Sequence, residues 1–302
     1  MLTDARHIFA QRKVLGALLG TAIDATVGRA ARSGEASAIG RTIDAEVAPP
    51  PRALVEAYLR SLRVDPARAR HALPPHLFAQ WTMPVAARLL RGLPYPLLKV
   101  VNVGCRLEMN APLPPHVPLR VQATLEGIED DGRHVLLRER IATGPRTIPE
   151  ALVAHLTLLV PGSDARGRVK TKEKPRVPET AREVVRLSLR RNAGLRFGLL
   201  TGDLNPIHWL RPYARAAGFR SVILHGFASL AFAMEGLGLG LFAGAPDSLA
   251  SIEARFVRPL VLPGNVGLFV SGEKFFVGDA KSGPAYLTGD FRSRASRPTT
   301  RA

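Results

Sequence analysis

From Gly226 to Gly238 the sequence runs Gly-Phe-Ala-Ser-Leu-Ala-Phe-Ala-Met-Glu-Gly-Leu-Gly, with Glu235 its only charge. A helix that is apolar on nearly every side has no face to give to water, so it must be wrapped by the rest of its domain. The flanking sequence supplies the wrapping. Ser251-Ile252-Glu253-Ala254-Arg255-Phe256 alternates apolar and polar residues, as do Leu119, Val121, Ala123 and Leu125 with Arg120, Gln122, Thr124 and Glu126. That period of two belongs to strands with one face buried. An antiparallel sheet curled round one central helix accounts for both patterns.

The strand signals recur along the chain. Strands are predicted to Val47, over Val135–Ile141 after an Asp130-Asp131-Gly132 hairpin turn, and over Leu152–Val160. Further strands are predicted over Glu183–Leu189, Ser251–Val257, Val266–Ser271, Glu273–Val277 and Ala285–Phe291, with helices over Leu54–Leu62 and Met83–Arg91. One shift lays Arg106-Leu107 on Arg255-Phe256, Leu113-Pro114 on Leu262-Pro263, Val117, Leu119 and Val121 on Val266, Leu268 and Val270, and His76 and Phe78 on His225 and Phe227. The chain reads as two copies of one unit. Its 302 residues suit two domains. We divide it into a helical extension (1–40), a first unit (41–162), a basic linker (163–181) and a second unit (182–302).

Chemistry concentrates in Leu200-Thr201-Gly202-Asp203-Leu204-Asn205-Pro206-Ile207-His208. Gly202 permits a backbone turn that a Cβ resists, and Asn205 before Pro206 is pushed out of the α region. Asp203 and His208 therefore share one tight loop, where a carboxyl and an imidazole can act on one water. The same residues also read as ordinary turn formers. The first unit offers Leu59-Arg60-Ser61-Leu62-Arg63-Val64-Asp65-Pro66 in that position, without the motif, so one site per chain is implied.

Gly202-Asp203-x-Asn205-Pro206-x-His208, then Val222-Ile223-Leu224-His225-Gly226-Phe227, then Arg255-Phe256-Val257-Arg258-Pro259-Leu260, resembles the hydratase-2 motif of MaoC-like enoyl-thioester hydratases and dehydratases. The resemblance covers residues 183–271, and more faintly 75–160, where it is to double-hotdog 3-hydroxyacyl-thioester dehydratases. It implies an α+β double hotdog and reversible dehydration of (3R)-hydroxyacyl thioesters, carried by coenzyme A or acyl carrier protein. It also implies Asp203 and His208 as the acid–base pair, Asn205 orienting the water, and the Gly226 backbone N–H, at a helix start, holding the oxyanion. Gly202 and Pro206 shape the loop. The acid and the base are not distinguished. His225 is read as a pocket wall or a satisfied core residue, the latter preferred. Losing the loop in the first unit is expected to leave room there for a long acyl chain.

Other chemistries are disfavoured. The histidines show no close ligand set beyond Asp203 and His208, so no metal or other cofactor is expected. Ser221 and Thr201 lack a visible base-and-orienter partner, and Cys105 lies on a predicted core strand of the other half. A hotdog thioesterase is disfavoured because the hydratase motif is complete. Loss of Asp203 or His208 would mark a non-catalytic acyl-thioester binder, and both are present.

The net charge of +17 attracts acidic partners. Arg166, Arg168, Lys170, Lys172, Lys174 and Arg176 crowd the linker, and Arg292, Arg294, Arg297 and Arg301 the tail, without interleaved aromatics, so nucleic acid is not expected. The apolar run Val14–Ile23 is too short to span a bilayer and is bracketed by Asp4 and Asp24; it is read as an amphipathic helix touching the protein, a partner or a membrane surface. One cysteine and no spanning segment fit a cytoplasmic protein, a dimer-like pair within one chain that leaves a homodimer open.

Overall fold

The computed structural model describes residues 38–97, 100–161, 174–244 and 248–294. The N-terminal helix, most of the basic linker, Arg297 and Arg301 lie outside the described residues. Ten antiparallel strands form one sheet: β1 (Thr42–Val47), β2 (Val101–Met109), β3 (Leu119–Asp130), β4 (His134–Gly144), β5 (Leu152–Pro161), β6 (Arg182–Leu189), β7 (Leu249–Phe256), β8 (Gly264–Ser271), β9 (Lys274–Gly278) and β10 (Ala285–Ser293). Their order is β1-β3-β4-β5-β2-β7-β10-β9-β8-β6. The first five positions mirror the last five, and the halves meet at β2·β7.

The register at that seam carries the symmetry. Arg106 pairs with Glu253, Cys105 with Ala254 and Gly104 with Arg255. The shift that lays Arg106 on Arg255 also lays Gly104 on Glu253, so the outer two pairings are images of each other about Cys105·Ala254. A two-fold interface between copies has this reciprocity. The relation weakens past β3, because the β3–β4 hairpin is longer than its β8–β9 counterpart.

Against the sheet lie α1 (Arg52–Ser61), α2 (Ala79–Leu89), α3 (Ala193–Thr201), α4 (Arg211–Ala216) and α5 (Gly226–Leu241). In α5 nine residues from Ala228 to Leu237 are buried, as its composition demands. It runs to Leu241 rather than Gly238. The first-half helix differs more, for α2 begins at Ala79 and carries Pro84 inside it. Trp81, Val85 and Leu89, one stripe at helical spacing, are buried there, and that apolar gain outweighs the backbone bond the proline removes. Phe78 and Phe227, superposed by the shift, meet edge-on with ring centroids 5.1 Å apart. This is the double-hotdog arrangement.

A polar clamp ties the halves. On α5, Glu235 takes Arg68 Nη1 at 2.7 Å and His76 Nε2 at 2.8 Å, while His76 Nδ1 lies 2.9 Å from the Tyr58 hydroxyl. Although burial alone would raise its pKa, these cationic and hydrogen-bonding neighbours pull the Glu235 carboxyl down to about 2. Glu139 on β4 has no such support. It is buried between Leu125 and Leu156, its Oε1 without a partner, and burial pushes its pKa up to about 8.

This difference gives a pH-dependent prediction. The unfolded chain loses the Glu139 proton near the ordinary value of 4.5 while the folded chain keeps it to about 8, so this side chain destabilises the fold increasingly as pH rises through that window. Glu139→Leu should stabilise by about 3 kcal/mol at pH 7, a gain that shrinks toward pH 4. Urea titrations at the two pH values check it, and equal gains at both would contradict it.

Candidate active site

Helix α3 ends at Gly202, whose φ of +89° is the left-handed conformation glycine takes without strain, and whose N–H bonds Gly198 O at 2.8 Å. The chain then doubles back over α3. A Cβ at Gly194 would collide with the His208 carbonyl, and one at Gly198 would sit 2.5 Å from the Asp203 carbonyl oxygen. Spaced four apart, the two glycines present one smooth face on which the loop rests.

Turn chemistry shapes the loop itself. Asp203 Oδ1 accepts the Asn205 N–H at 3.3 Å, and Asn205 Oδ1 accepts the Ile207 N–H at 3.2 Å, capping the 3-10 turn Pro206–His208. Pro206 occupies the first position of that turn, where its missing N–H costs nothing. The Trp209 indole N–H closes the loop on Leu204 O at 3.0 Å. Asn205 is exposed and spends its amide oxygen on this cap, which is the bland role its sequence context allowed.

Asp203, His208 and His225 converge, with side-chain donor atoms all within 4.8 Å of one another. His208 Nδ1 lies 2.9 Å from Ile223 O. Because a carbonyl only accepts, Nδ1 carries the proton and Nε2 keeps a lone pair. Burial lowers the His208 pKa, opposed by the Asp203 charge and by the bond to Ile223, so the ring is neutral at pH 7.

The reading of His225 as a satisfied core residue needs correction. It is buried but lies inside the site, stacked on His208 with centroids 3.6 Å apart and planes 23° apart. Its Nε2–H donates to Asp203 O at 2.9 Å, and its Nδ1 is buried without a partner. Burial is also the main reason its pKa is lowered. One side chain thus fixes both the loop carrying Asp203 and the ring face of His208. The sequence signal was its place immediately before the apolar helix, which makes it the N-cap of α5.

His225 also enlarges the ligand set beyond Asp203 and His208. Stacked, nearly parallel rings do not aim their lone pairs at one point, so the set as folded suits proton transfer better than tetrahedral metal ligation.

Gly226 follows His225 and opens α5, where the first N–H has no intrahelical acceptor. It is exposed and donates to no acceptor among the described residues. The Phe256 ring lies 2.8 Å from where a Cβ would stand.

The first half keeps the frame without the chemistry. Arg63 at φ +62° stands for Gly202, Asp65-Pro66 opens a 3-10 turn as Asn205-Pro206 does, Arg68 stands for His208, His76 for His225 and Tyr58 for Phe197. One residue fewer separates the left-handed position from the cap, so Asp203 has no counterpart. At this position Arg68, Glu235, His76 and Tyr58 form a polar network, and Arg63, Asp65, Arg68, His76 and Glu235 line a cavity of about 320 Å³.

Residues 168–275 match the model of the MaoC like domain family. The chain is 31% identical over 173 residues to 3-hydroxyacyl-thioester dehydratase Y of Mycobacterium tuberculosis, covering 52% of this chain and 56% of that protein. Among solved structures, HtdX of M. tuberculosis superposes with a TM-score of 0.67 at 22% identity, covering 83% of this chain and all of that one. A conserved M. tuberculosis protein whose structure is described as a double hotdog superposes with a TM-score of 0.53 at 15% identity, covering 84% of this chain and 96% of that one. These superpositions bear on fold alone. The chain spans 24%, 21% and 56% of the length of the first curated relatives it matches.

If α3 seats the loop, Gly198→Ala should displace Asp203 by the order of an ångström and lower kcat about 10²-fold, with a lower Tm. His225→Phe keeps a ring against His208 but removes the N–H held by Asp203 O, and should lower kcat about tenfold or more with KM little changed. Steady-state kinetics check both; wild-type kcat in Gly198→Ala would show that the glycine face is dispensable.

Proposed function

We propose that this chain, a double hotdog whose residues 168–275 form a MaoC-like domain, hydrates trans-2-enoyl thioesters and, in reverse, dehydrates (3R)-hydroxyacyl thioesters of coenzyme A or acyl carrier protein. The observation that carries this reading is the neutral His208, its lone pair beside the Asp203 carboxyl and its ring stacked on His225, the residue that precedes α5. The 3R configuration comes from the motif resemblance.

In the hydration direction His208 is the base. Its Nε2 takes a proton from water as the water oxygen bonds C3, and the C2–C3 π electrons shift onto the thioester oxygen. The Gly226 N–H, at the positive end of the α5 dipole, holds that oxygen while it is charged. Collapse of the enolate takes the proton up at C2, which restores the imidazole and balances the addition of one water. Asp203 Oδ2, the carboxyl oxygen not spent on the turn, orients the water and favours the transient imidazolium. Asn205 supports this geometry by holding the turn, with its amide nitrogen free to meet the water. The chemistry calls for no cofactor or metal. A cytoplasmic setting fits this substrate class, and no helix among the described residues is long and apolar enough to cross a membrane.

Asp203→Asn and His208→Gln should each lower kcat by about 10²–10⁴-fold, with the double variant far from multiplicative because both act on one water. Loss of absorbance at the enoyl-thioester band, with crotonyl-CoA and longer trans-2-enoyl-CoA substrates, is the measurement. Wild-type rates in either single variant would remove that residue from the mechanism.

The pH profile follows from His208. A base must be neutral to act, and its pKa lies below the ordinary value of 6.5, so the acid limb of kcat/KM should fall below that pH. Asp203 opposes the lowering, so in Asp203→Asn the His208 imidazole should titrate lower still, as NMR of its ring protons would read. A limb above pH 6.5 would exclude His208 as the base.

The oxyanion role rests on Gly226→Pro beside Gly226→Ala. Both variants bring a Cβ against Phe256, but only proline lacks the N–H, so the difference between them isolates the donor. Its loss should cost about 10²–10³-fold in kcat. Equal kcat in the two would place the oxyanion elsewhere.

A further inference from the structure

Between Val184 and Met234 the sole acidic residue is Asp203, against seven arginines. Several exposed arginines are neutralised by a neighbouring carboxylate, Arg120 by Asp44, Arg138 by Glu129, Arg146 by Glu46 and, within this stretch, Arg186 by Glu183. Arg211, Arg215 and Arg220 are exposed and make no ion pair among the described residues. They stand among Trp209 (41% exposed), Leu210 (41%) and Tyr213 (49%), three of the eight large apolar side chains exposed among the described residues. An apolar centre of Trp, Tyr and Leu with arginine around it is the composition of a protein-binding hot spot. Arg211, Tyr213 and Arg215 stand on α4, with Trp209 and Leu210 leading into it and Arg220 in the loop that follows.

The patch is joined to the reaction loop. Trp209 follows His208 and bonds Leu204 O, the Leu210 N–H bonds Pro206 O at 2.7 Å, and the Ala214 N–H bonds Leu210 O at 3.0 Å. Whatever binds here is held at a fixed position relative to Asp203 and His208. We propose that Trp209, Leu210, Arg211, Tyr213, Arg215 and Arg220 form the docking face for an acidic carrier protein that presents the acyl thioester on its phosphopantetheine arm, an inference that rests on the hydratase reading above. Unpaired arginines steer such a partner and set its register, and the aromatic centre supplies contact area.

The test uses the full chain with one trans-2-enoyl group on three carriers: N-acetylcysteamine, coenzyme A and the acyl carrier protein of bacterial fatty-acid synthesis. Arg211→Ala/Arg215→Ala should raise KM for the protein-borne substrate about tenfold or more, with kcat within about twofold, and leave N-acetylcysteamine kinetics unchanged. Raised salt should weaken wild type toward the variant on the protein-borne substrate only. An unchanged KM on the carrier protein, or an equal loss on all three, overturns the docking face. A loss confined to coenzyme A assigns the arginines to its phosphates and overturns the protein partner. Calorimetric binding of the phosphopantetheinylated carrier protein, wild type against Arg211→Glu/Arg215→Glu, decides the docking claim without turnover. If no enoyl thioester is hydrated yet binding is lost in that variant, the hydratase reading fails and the docking face stands; undiminished binding overturns the face whatever the kinetics show.

Discussion

The structure depends on the burial of α5. A helix with no polar face must be covered, and the sheet that covers it delivers its N-terminus to the loop after α3. His225 and Gly226 are placed by this one act of packing: the first stacks on His208, the second offers a free N–H beside it. The geometry of the candidate site is here a by-product of a core requirement, so its groups need no dedicated scaffold.

The two halves show how little separates a loop that gathers Asp203 and His208 from one that does not. Both use a left-handed residue, a capped 3-10 turn and a buried histidine against an aromatic ring. In the first half His76 satisfies both nitrogens, on Tyr58 and Glu235, and is thereby locked into a clamp. In the second, Phe197 has no hydroxyl, so His225 Nδ1 stays unpartnered and Nε2 serves the loop. A buried nitrogen without a partner costs about 1–3 kcal/mol, a cost of the kind that collects at functional sites. The clamp in the first half holds α5 at Glu235, past its midpoint, so the half without the Asp203–His208 loop still fixes the helix that opens beside it.

What the sequence determined by itself was local or periodic. Alternation at Leu119–Leu125 and Ser251–Phe256 specified strands because the pleat's period is two, and the all-apolar run after Gly226 specified a buried helix because no other environment suits it. The Gly202–His208 loop was readable because glycine and the residue before proline restrict the backbone whatever surrounds them. The tertiary structure decided everything that depends on two distant segments meeting. The role of His225 depends on Asp203 reaching it, and the need for Gly194 and Gly198 arises only when the loop folds back onto α3. Pro84 sits inside α2 because core burial, which no local rule counts, outweighs one backbone bond. His208 keeps its lone pair on Nε2 because Ile223, fifteen positions on, offers a carbonyl to Nδ1. A tautomer is set by a partner in space, and spacing along the chain does not name that partner.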